Sequence, residues 1–209
     1  MRFVKSFLTV LIFTMCVNNF AFGQSTTTTT ATTTRTVKKT TYPYFSINPS
    51  GGVIFPLFQL SETFKPNATI GLDLGYRVNK EVGFFLDLGY YFISSSQASA
   101  PVGKYIEFSV GPRYYFTHPS LKSSLFVEGG VGGYSFNQAS FVNPADPSGT
   151  VIPQIDETRA GVNAGLGATL GVSDNVDISL KSKYHMVFSP NGSSSFITTM
   201  GGINIKFLD

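Results

Sequence analysis

The two histidines, His118 and His185, are the side chains best able to move a proton near neutral pH. The tripeptide His118-Pro119-Ser120 places a histidine beside a serine, which a Ser-His-carboxylate device requires. The same tripeptide is also ordinary turn chemistry, and His185 falls within a run of alternating residues. We therefore predict no catalytic residue and no enzymatic activity, with a lipid-modifying membrane enzyme as the second alternative.

Other binding motifs are weak. The run Gly165–Gly171 lacks the glycine spacing of a phosphate-binding loop and opens no helix. Cys16 is the one cysteine, and it falls in a segment that we predict to be removed, so no disulfide or cysteine-ligated zinc is expected. Metal-ligand clusters are absent from the sequence. We predict no cofactor and no metal site.

The N-terminal segment 1–23 has the features of a secretory signal peptide. Arg2 and Lys5 precede an apolar run at 7–17, and small residues stand near position 23. The apolar run is shorter than the roughly 20 residues that a spanning helix needs. The Thr-rich segment 24–42 cannot bury enough surface to fold, so we predict a flexible periplasmic leader.

Charge is scarce in the rest of the chain. Charged residues make up 13% of the sequence, about half of the roughly 25% that is usual in soluble proteins. Removing two of the 15 basic residues with the signal leaves thirteen against 12 acidic ones. Near neutrality argues against a nucleic-acid partner, which requires a concentrated basic face.

Apolar residues alternate with small or charged ones through most of the chain after residue 43. In Val82–Phe92 the even-numbered residues are all apolar, whereas the odd-numbered ones include Gly83, Asp87 and Gly89. A period of two indicates β-strands with two unlike faces. The predicted strands lie near 44–55, 70–78, 82–92, 104–116, 123–136, 159–172, 176–186 and 197–207.

The connections between these strands alternate in length. Long ones are predicted near 56–67, 93–103, 137–157 and 189–194, and short ones at 79–80, 118–122 and 173–175. Short periplasmic turns and longer outer loops are typical of membrane barrels. The sequence therefore predicts an all-β fold, an eight-stranded antiparallel up-and-down transmembrane β-barrel that occupies residues 43–209.

A soluble periplasmic lipocalin-like barrel that binds an apolar ligand is the main alternative, because alternation does not tell which face is outside. Three observations favour the membrane barrel. The polar face is rich in glycine, which suits a crowded interior. Aromatic residues gather at strand ends, as they do at lipid interfaces. The scarcity of charge suits a surface that faces hydrocarbon.

The C-terminal strand Gly202-Ile203-Asn204-Ile205-Lys206-Phe207 is similar to the signal that the barrel-assembly machinery reads. Together with the architecture, it resembles the small bacterial outer-membrane β-barrel proteins with an OmpA-like or OmpX-like eight-stranded domain. The resemblance implies the outer membrane as location, with its lipid and the assembly machinery as partners. Structural, adhesive or surface-interaction roles are implied, and Gly202, Ile205 and Phe207 would form the assembly signal.

Charged residues on the predicted inner face can be paired by register. A tight turn centred on residues 120–121 places Arg113 opposite Glu128, and a turn centred on Asp174 places Gly165 opposite Lys183. We expect a mixed-sign network inside a barrel that is plugged rather than open. Its members would be Asp73, Asp87, Arg113, Glu128, Lys181 and Lys183.

The loop 137–157 is longer than a simple connection needs, and long loops are often functional. Its apolar residues Phe141, Val142, Val151 and Ile152 either contact an unknown extracellular partner or pack over the barrel mouth. The sequence leaves both alternatives open.

Overall fold

The computed structural model describes residues 42–95, 101–117, 123–142, 151–190 and 192–207 of the 209-residue chain. The predicted signal peptide 1–23 and all but the last residue of the predicted leader lie outside these ranges. The described residues contain no helix that is long and apolar enough to cross a membrane.

Eight long strands make up most of the described chain, and each covers one of the alternating segments. They are β1 Tyr44–Leu57, β2 Asn67–Arg77, β3 Val82–Ser95, β4 Gly103–Thr117, β5 Ser123–Gln138, β6 Ile155–Gly171, β7 Val176–Ser189 and β8 Gly192–Phe207. Every strand extends farther than predicted at the end that carries the long connections. There the strands continue to pair beyond the apolar surface, so alternating apolar residues no longer indicate where the strands end.

Each strand pairs antiparallel with the next one along the chain, and β8 pairs with β1 to close the sheet. At the closing seam Phe45 lies opposite Phe207 and Gly51 lies opposite Gly201. Closure leaves no strand edge open to pairing with another chain. The predicted eight-stranded antiparallel up-and-down barrel is confirmed.

The two faces of the wall differ as their alternation predicts. On β3, Phe85 and Asp87 are buried, whereas Phe84 and Leu88 are exposed on the outside. Large apolar side chains that are more than half exposed occur on most strands, for example Ile70, Phe108, Val131, Leu166, Ile178 and Ile203. An apolar exterior around a charged interior is the reverse of a lipocalin-type binder, so the structure contradicts the soluble alternative.

Paired aromatic rings border this apolar belt at both ends. Tyr114 and Phe116 pack edge-to-face with ring centres 5.0 Å apart at the end with short turns, and Tyr90 and Phe92 do so with centres 4.9 Å apart at the other end. About ten residues of β3 separate the two levels, which at about 3.3 Å per residue and a tilt of about 40° corresponds to about 25 Å. This height matches the hydrocarbon-facing band of outer-membrane barrels.

The predicted long connections near 189–194 and 56–67 each differ from that expectation. The connection near 189–194 is a tight turn, because Ser189 of β7 pairs directly with Gly192 of β8. Gly192 has a φ of 137°, a backbone conformation that favours glycine. The connection 56–67 contains a helix, α1 Gln59–Thr63, and a two-residue strand, Phe64–Lys65, that pairs with the end of β3.

The interior is filled in three layers. An aromatic plug closes the end with the long connections and comprises Ile54, Tyr91, Ile93, Tyr105, Tyr134, Val187 and Phe196. At the opposite end the Arg77 guanidinium lies 3.8 Å from the centre of the Tyr115 ring. Arg77 also donates a hydrogen bond of 3.3 Å to the Tyr44 hydroxyl. Charged side chains occupy the layer between.

Candidate functional site

The six charged residues that the sequence placed in one network all line the barrel interior. None of them exposes more than 6% of its surface, although each carries an ionisable group. They come from five strands, namely Asp73 on β2, Asp87 on β3, Arg113 on β4, Glu128 on β5, and Lys181 and Lys183 on β7. We call these six residues the ionic network.

The strand register that was derived from turn positions is confirmed. Arg113 lies directly opposite Glu128 across β4 and β5, and Gly165 lies opposite Lys183 across β6 and β7. A Cβ atom on Gly165 would come within 2.6 Å of Lys183 Cγ and 2.9 Å of the Ser182 carbonyl oxygen. Glycine therefore leaves the space that the lysine stem occupies.

Arg113 joins two carboxylates that come from different strands, Asp73 of β2 and Glu128 of β5. Its Nη2 atom lies 2.5 Å from Asp73 Oδ2 and 2.5 Å from Glu128 Oε2, and its Nε donates to the same Glu128 oxygen at 2.6 Å. A planar guanidinium with several N–H donors suits this bridging geometry better than an ammonium group does. The contacts tie β2, β4 and β5 together through the interior.

The two lysines resolve a repulsion between neighbouring aspartates. Asp73 and Asp87 lie opposite each other across β2 and β3, where like charges destabilise a sheet. Lys181 Nζ lies 2.8 Å from a carboxylate oxygen of each, and Lys183 Nζ lies 2.6 Å from the other Asp87 oxygen. Strand β7 is thereby linked across the barrel to β2 and β3.

Glu107 on β4 is a further member of this charged layer that the sequence analysis did not include. It is 1% exposed and accepts hydrogen bonds from Tyr91, from Ser109 at 2.6 Å and from Asn163 at 3.2 Å. Its register partner on β5 is Tyr134, so no charged partner stands beside it in the sheet. The alternation placed Glu107 on the inner face, but register alone does not show contacts across the barrel.

His185 is fully buried beside the aromatic plug. Its ring stacks on Phe196 with centres 4.6 Å apart, and its nitrogens lie 3.1 Å from the Tyr134 hydroxyl and 3.0 Å from the Thr198 hydroxyl. These contacts occupy both ring nitrogens and leave no open space beside them. The other candidate, His118, lies outside the described residues.

Charges of both signs balance over the described interior. Glu107 and the ionic network together supply four carboxylates and three cations, while Arg77 adds a cation near the short turns. Lys206 and Asp177 form a separate pair at 2.7 Å. Five cations thus face five carboxylates. Because a buried charge without a partner is very costly, the balance favours a single packed arrangement over an open channel.

The predicted assembly signal lies on the last strand. Ile205 and Phe207 are exposed on the outer face, at 40% and 54%, while Gly202 faces inward against the Asn48 side chain. Phe207 also lies opposite Phe45 at the closing seam. The arrangement gives an apolar outer edge to the strand that closes the barrel, and its role in assembly stays a prediction.

The loop predicted at 137–157 is shorter than expected, because Gln138 of β5 still pairs with Ile155 of β6. Above this pair, Phe141–Val142 and Val151–Ile152 form a two-stranded hairpin. Val142 and Val151 are 55% and 60% exposed, and residues 143–150 lie outside the described ranges. The hairpin presents apolar side chains at the end of the barrel with the long connections.

The closed wall, the apolar belt between aromatic borders and the charged interior define an eight-stranded transmembrane β-barrel. No protein-family model matches the sequence. A search of curated proteins also gives no match.

Solved structures with the same fold are bacterial outer-membrane barrels. Neisserial surface protein A superposes with a TM-score of 0.59 at 15% identity, covering 78% of this chain and 97% of that one. The outer membrane protein OprG of Pseudomonas aeruginosa gives 0.54 at 11% identity, covering 80% and 97%. The N-terminal barrel domain of OprF of the same organism gives 0.51 at 13% identity, covering 79% and 100%. This chain therefore has the fold of the eight-stranded outer-membrane β-barrels.

Proposed function

We propose that this protein resides in the bacterial outer membrane and acts without catalysis, through the end of the barrel that faces the outside. The observation that carries the proposal is that packed side chains fill the interior. The aromatic plug, the ionic network and Arg77 occupy successive layers. Other molecules therefore meet only the lipid-facing wall and the two ends.

A non-enzymatic role is supported by the position of the described histidine. His185 is enclosed, with both nitrogens within hydrogen-bond distance of Tyr134 and Thr198. A general base must lie within hydrogen-bond reach of the proton that it takes from its substrate, and no substrate reaches this ring without displacing the plug. The fold by itself does not decide between binding and catalysis.

The extracellular hairpin is the part of the chain best placed for a surface interaction. It carries exposed Val142 and Val151 above the barrel, and apolar side chains exposed in this way suit contact with another molecule. The remaining partners that we propose are outer-membrane lipid along the belt and the barrel-assembly machinery at β8.

Cysteine labelling of intact cells tests this proposal. The chain has one cysteine, Cys16, in the predicted signal, so an introduced cysteine gives a unique label. Val142→Cys should react with a membrane-impermeant maleimide in intact cells. Lys80→Cys, in the turn at the other end, is the matched control and should react only after the outer membrane is permeabilised. Reaction of Lys80→Cys alone in intact cells would reverse the proposed orientation.

Extraction and conductance test the remaining parts. Residues 24–209 should fractionate with outer membranes and need detergent for release, and a monodisperse protein without detergent would contradict membrane residence. Purified monomer in planar bilayers should give no steady, large conductance, because an eight-stranded barrel is only wide enough to be filled by its side chains. Sustained conductance would show that the interior is open.

A further inference from the structure

Two lysines flank the extracellular end of β3. Lys104 of β4 lies opposite Phe92 on one side of β3, and Lys65 lies opposite Ser94 on the other side. Both lysines are exposed. Tyr105 is buried inside and Phe64 packs against the aromatic plug. Because neighbouring residues of a strand point to opposite faces, both lysines point outward.

The lysines lie at the outer border of the apolar belt. Phe92, which pairs with Lys104, packs edge-to-face against Tyr90, which lies two residues closer to the membrane centre. Aromatic rings of this kind sit at the level of lipid headgroups, and a lysine at that level places its ammonium among them. The two ammonium groups therefore lie at headgroup height on the same part of the wall.

A hydroxyl and an amide group lie beside Lys65. The Asn67 amide donates a hydrogen bond of 2.6 Å to the Ser94 hydroxyl, which lies beside Lys65. Within the described ranges neither Lys65 nor Lys104 has an ion-pair partner. A pair of cations without a protein anion in the described ranges, with a hydroxyl and an amide beside one of them, suits an external anion.

Negative charge at this end of the barrel lies mostly on other strands. Asp156 and Glu157 belong to β6, where Glu157 lies 2.8 Å from Arg159. Glu62 belongs to α1, which packs on β1 and β8 as well as on the Phe64–Lys65 strand. The outer wall around β3 and β4 is therefore the basic part of the extracellular rim.

We propose that Lys65 and Lys104 bind the phosphate groups of a phosphorylated glycolipid in the outer leaflet. Strands lie about 4.8 Å apart and rise about 3.3 Å per residue, and the two lysines pair with Phe92 and Ser94 on opposite sides of β3, so their backbones stand about 12 Å apart. Flexible stems let each ammonium meet a separate phosphate of one sugar headgroup or converge on a single one. The acyl chains of the same lipid would pack on the apolar belt below Tyr90 and Phe92. This inference rests on the outer-membrane location proposed above.

Binding of lipid A to the purified barrel tests the inference apart from its cellular location. The barrel is reconstituted in nanodiscs of zwitterionic lipid, and bis-phosphorylated lipid A is titrated beside the same lipid after its phosphates have been removed. The wild-type barrel should retain the phosphorylated form preferentially, and high salt should weaken the preference.

Charge variants identify the residues responsible. Lys65→Gln and Lys104→Gln should each weaken binding of the phosphorylated form about fivefold, and the double variant about thirtyfold. Lys80→Gln, at the opposite end of the barrel, is the matched control and should leave binding unchanged. These exposed sites allow every variant to fold, which circular dichroism and the heat-dependent gel shift would verify.

Two outcomes would overturn the inference. One is equal retention of the two lipid forms by the wild-type barrel, and the other is unchanged binding by the double Gln variant. Failure of the outer-membrane proposal would be seen separately, in fractionation and in the Val142→Cys labelling. If the barrel binds phosphorylated lipid A in nanodiscs but does not fractionate with outer membranes, the lipid site is supported and the proposed outer-membrane location is wrong.

Discussion

The inner and outer faces of the barrel wall are built from the same eight strands, yet they follow different rules. Outward residues such as Val131 and Leu166 need only be apolar, because lipid accepts any such side chain. Inward residues such as Arg113 and Lys181 contact particular partners on particular strands. The outer face is therefore specified by residue class, and the inner face by individual contacts.

This difference implies that one and the same substitution should have unequal effects on the two faces. An inward substitution removes a contact, or disturbs packing, that no neighbouring group restores. Around an outward or solvent-exposed substitution, lipid or water rearranges at little cost. For Arg113, Gly167 and Tyr134, the same substitution at Arg159, Gly133 and Tyr184 measures this difference.

The largest difference is expected between a buried and an exposed arginine. Arg113→Ala leaves Asp73 and Glu128 without their shared guanidinium, and breaking such a buried pair costs about 3–5 kcal/mol. Arg159→Ala removes a similar Arg–Glu pair whose side chains are 34% and 49% exposed, for which about 0–1 kcal/mol is expected. Urea unfolding in detergent micelles measures both.

The second partner of Arg113 separates this interaction from general damage. Glu128→Ala should cost less than Arg113→Ala, because Arg113 keeps its 2.5 Å contact with Asp73. The double variant should lose less than the sum of the two single losses, since both remove one shared interaction. Strictly additive losses would mean that the two side chains do not interact in the folded barrel.

A smaller difference is expected between two glycines. A Cβ on inward Gly167 would come within 2.7 Å of the Leu180 carbonyl oxygen and would also meet the Phe126 ring, whereas a Cβ on Gly133 would meet nothing within 4 Å. Gly167→Ala should cost about 1–3 kcal/mol through overpacking. Gly133→Ala should stay within about 0.5 kcal/mol of the wild type. Equal stability of the two variants would show that the interior is not tightly packed.

The sequence predicted the fold and much of the interior because period two is a strong signal over eight strands. Register followed from turn position, since one residue of slip would move Arg113 to the lipid face. Glu107 was missed because its register partners, Gly89 and Tyr134, carry no charge, whereas its charged neighbour Lys183 lies across the barrel on β7, at 3.8 Å. Contacts across a barrel depend on tilt and curvature, which alternation does not contain.

Connections were harder to predict than strands. The strands continue to pair above the apolar belt, where no lipid contact requires alternating apolar residues. A pattern of apolar residues therefore does not indicate where the strands end. The connection near 189–194 was predicted to be long, but the pairing of Ser189 with Gly192 leaves only a tight turn between the strands. The hairpin above β5 and β6 was hidden for the same reason.

The smallest difference is expected between two tyrosines that each lose only a hydroxyl group. The inward Tyr134 hydroxyl lies 3.2 Å from Glu107, 3.1 Å from the Asn163 amide and 3.1 Å from His185. The outward Tyr184 hydroxyl has one partner, Ser195, at 2.9 Å, so its removal breaks a single contact between two neighbouring strands.

Tyr134→Phe should therefore cost about 0.5–1.5 kcal/mol, because Glu107 keeps its other donors but no water enters the packed plug to replace the lost one. Tyr184→Phe should lie close to wild type in the same urea titration. The ring volume is unchanged in both variants, so any difference reports hydrogen bonding rather than packing. If Tyr184→Phe proved the more destabilised variant, the outer face would depend on individual contacts as much as the inner face does, and the distinction between the two faces would fail.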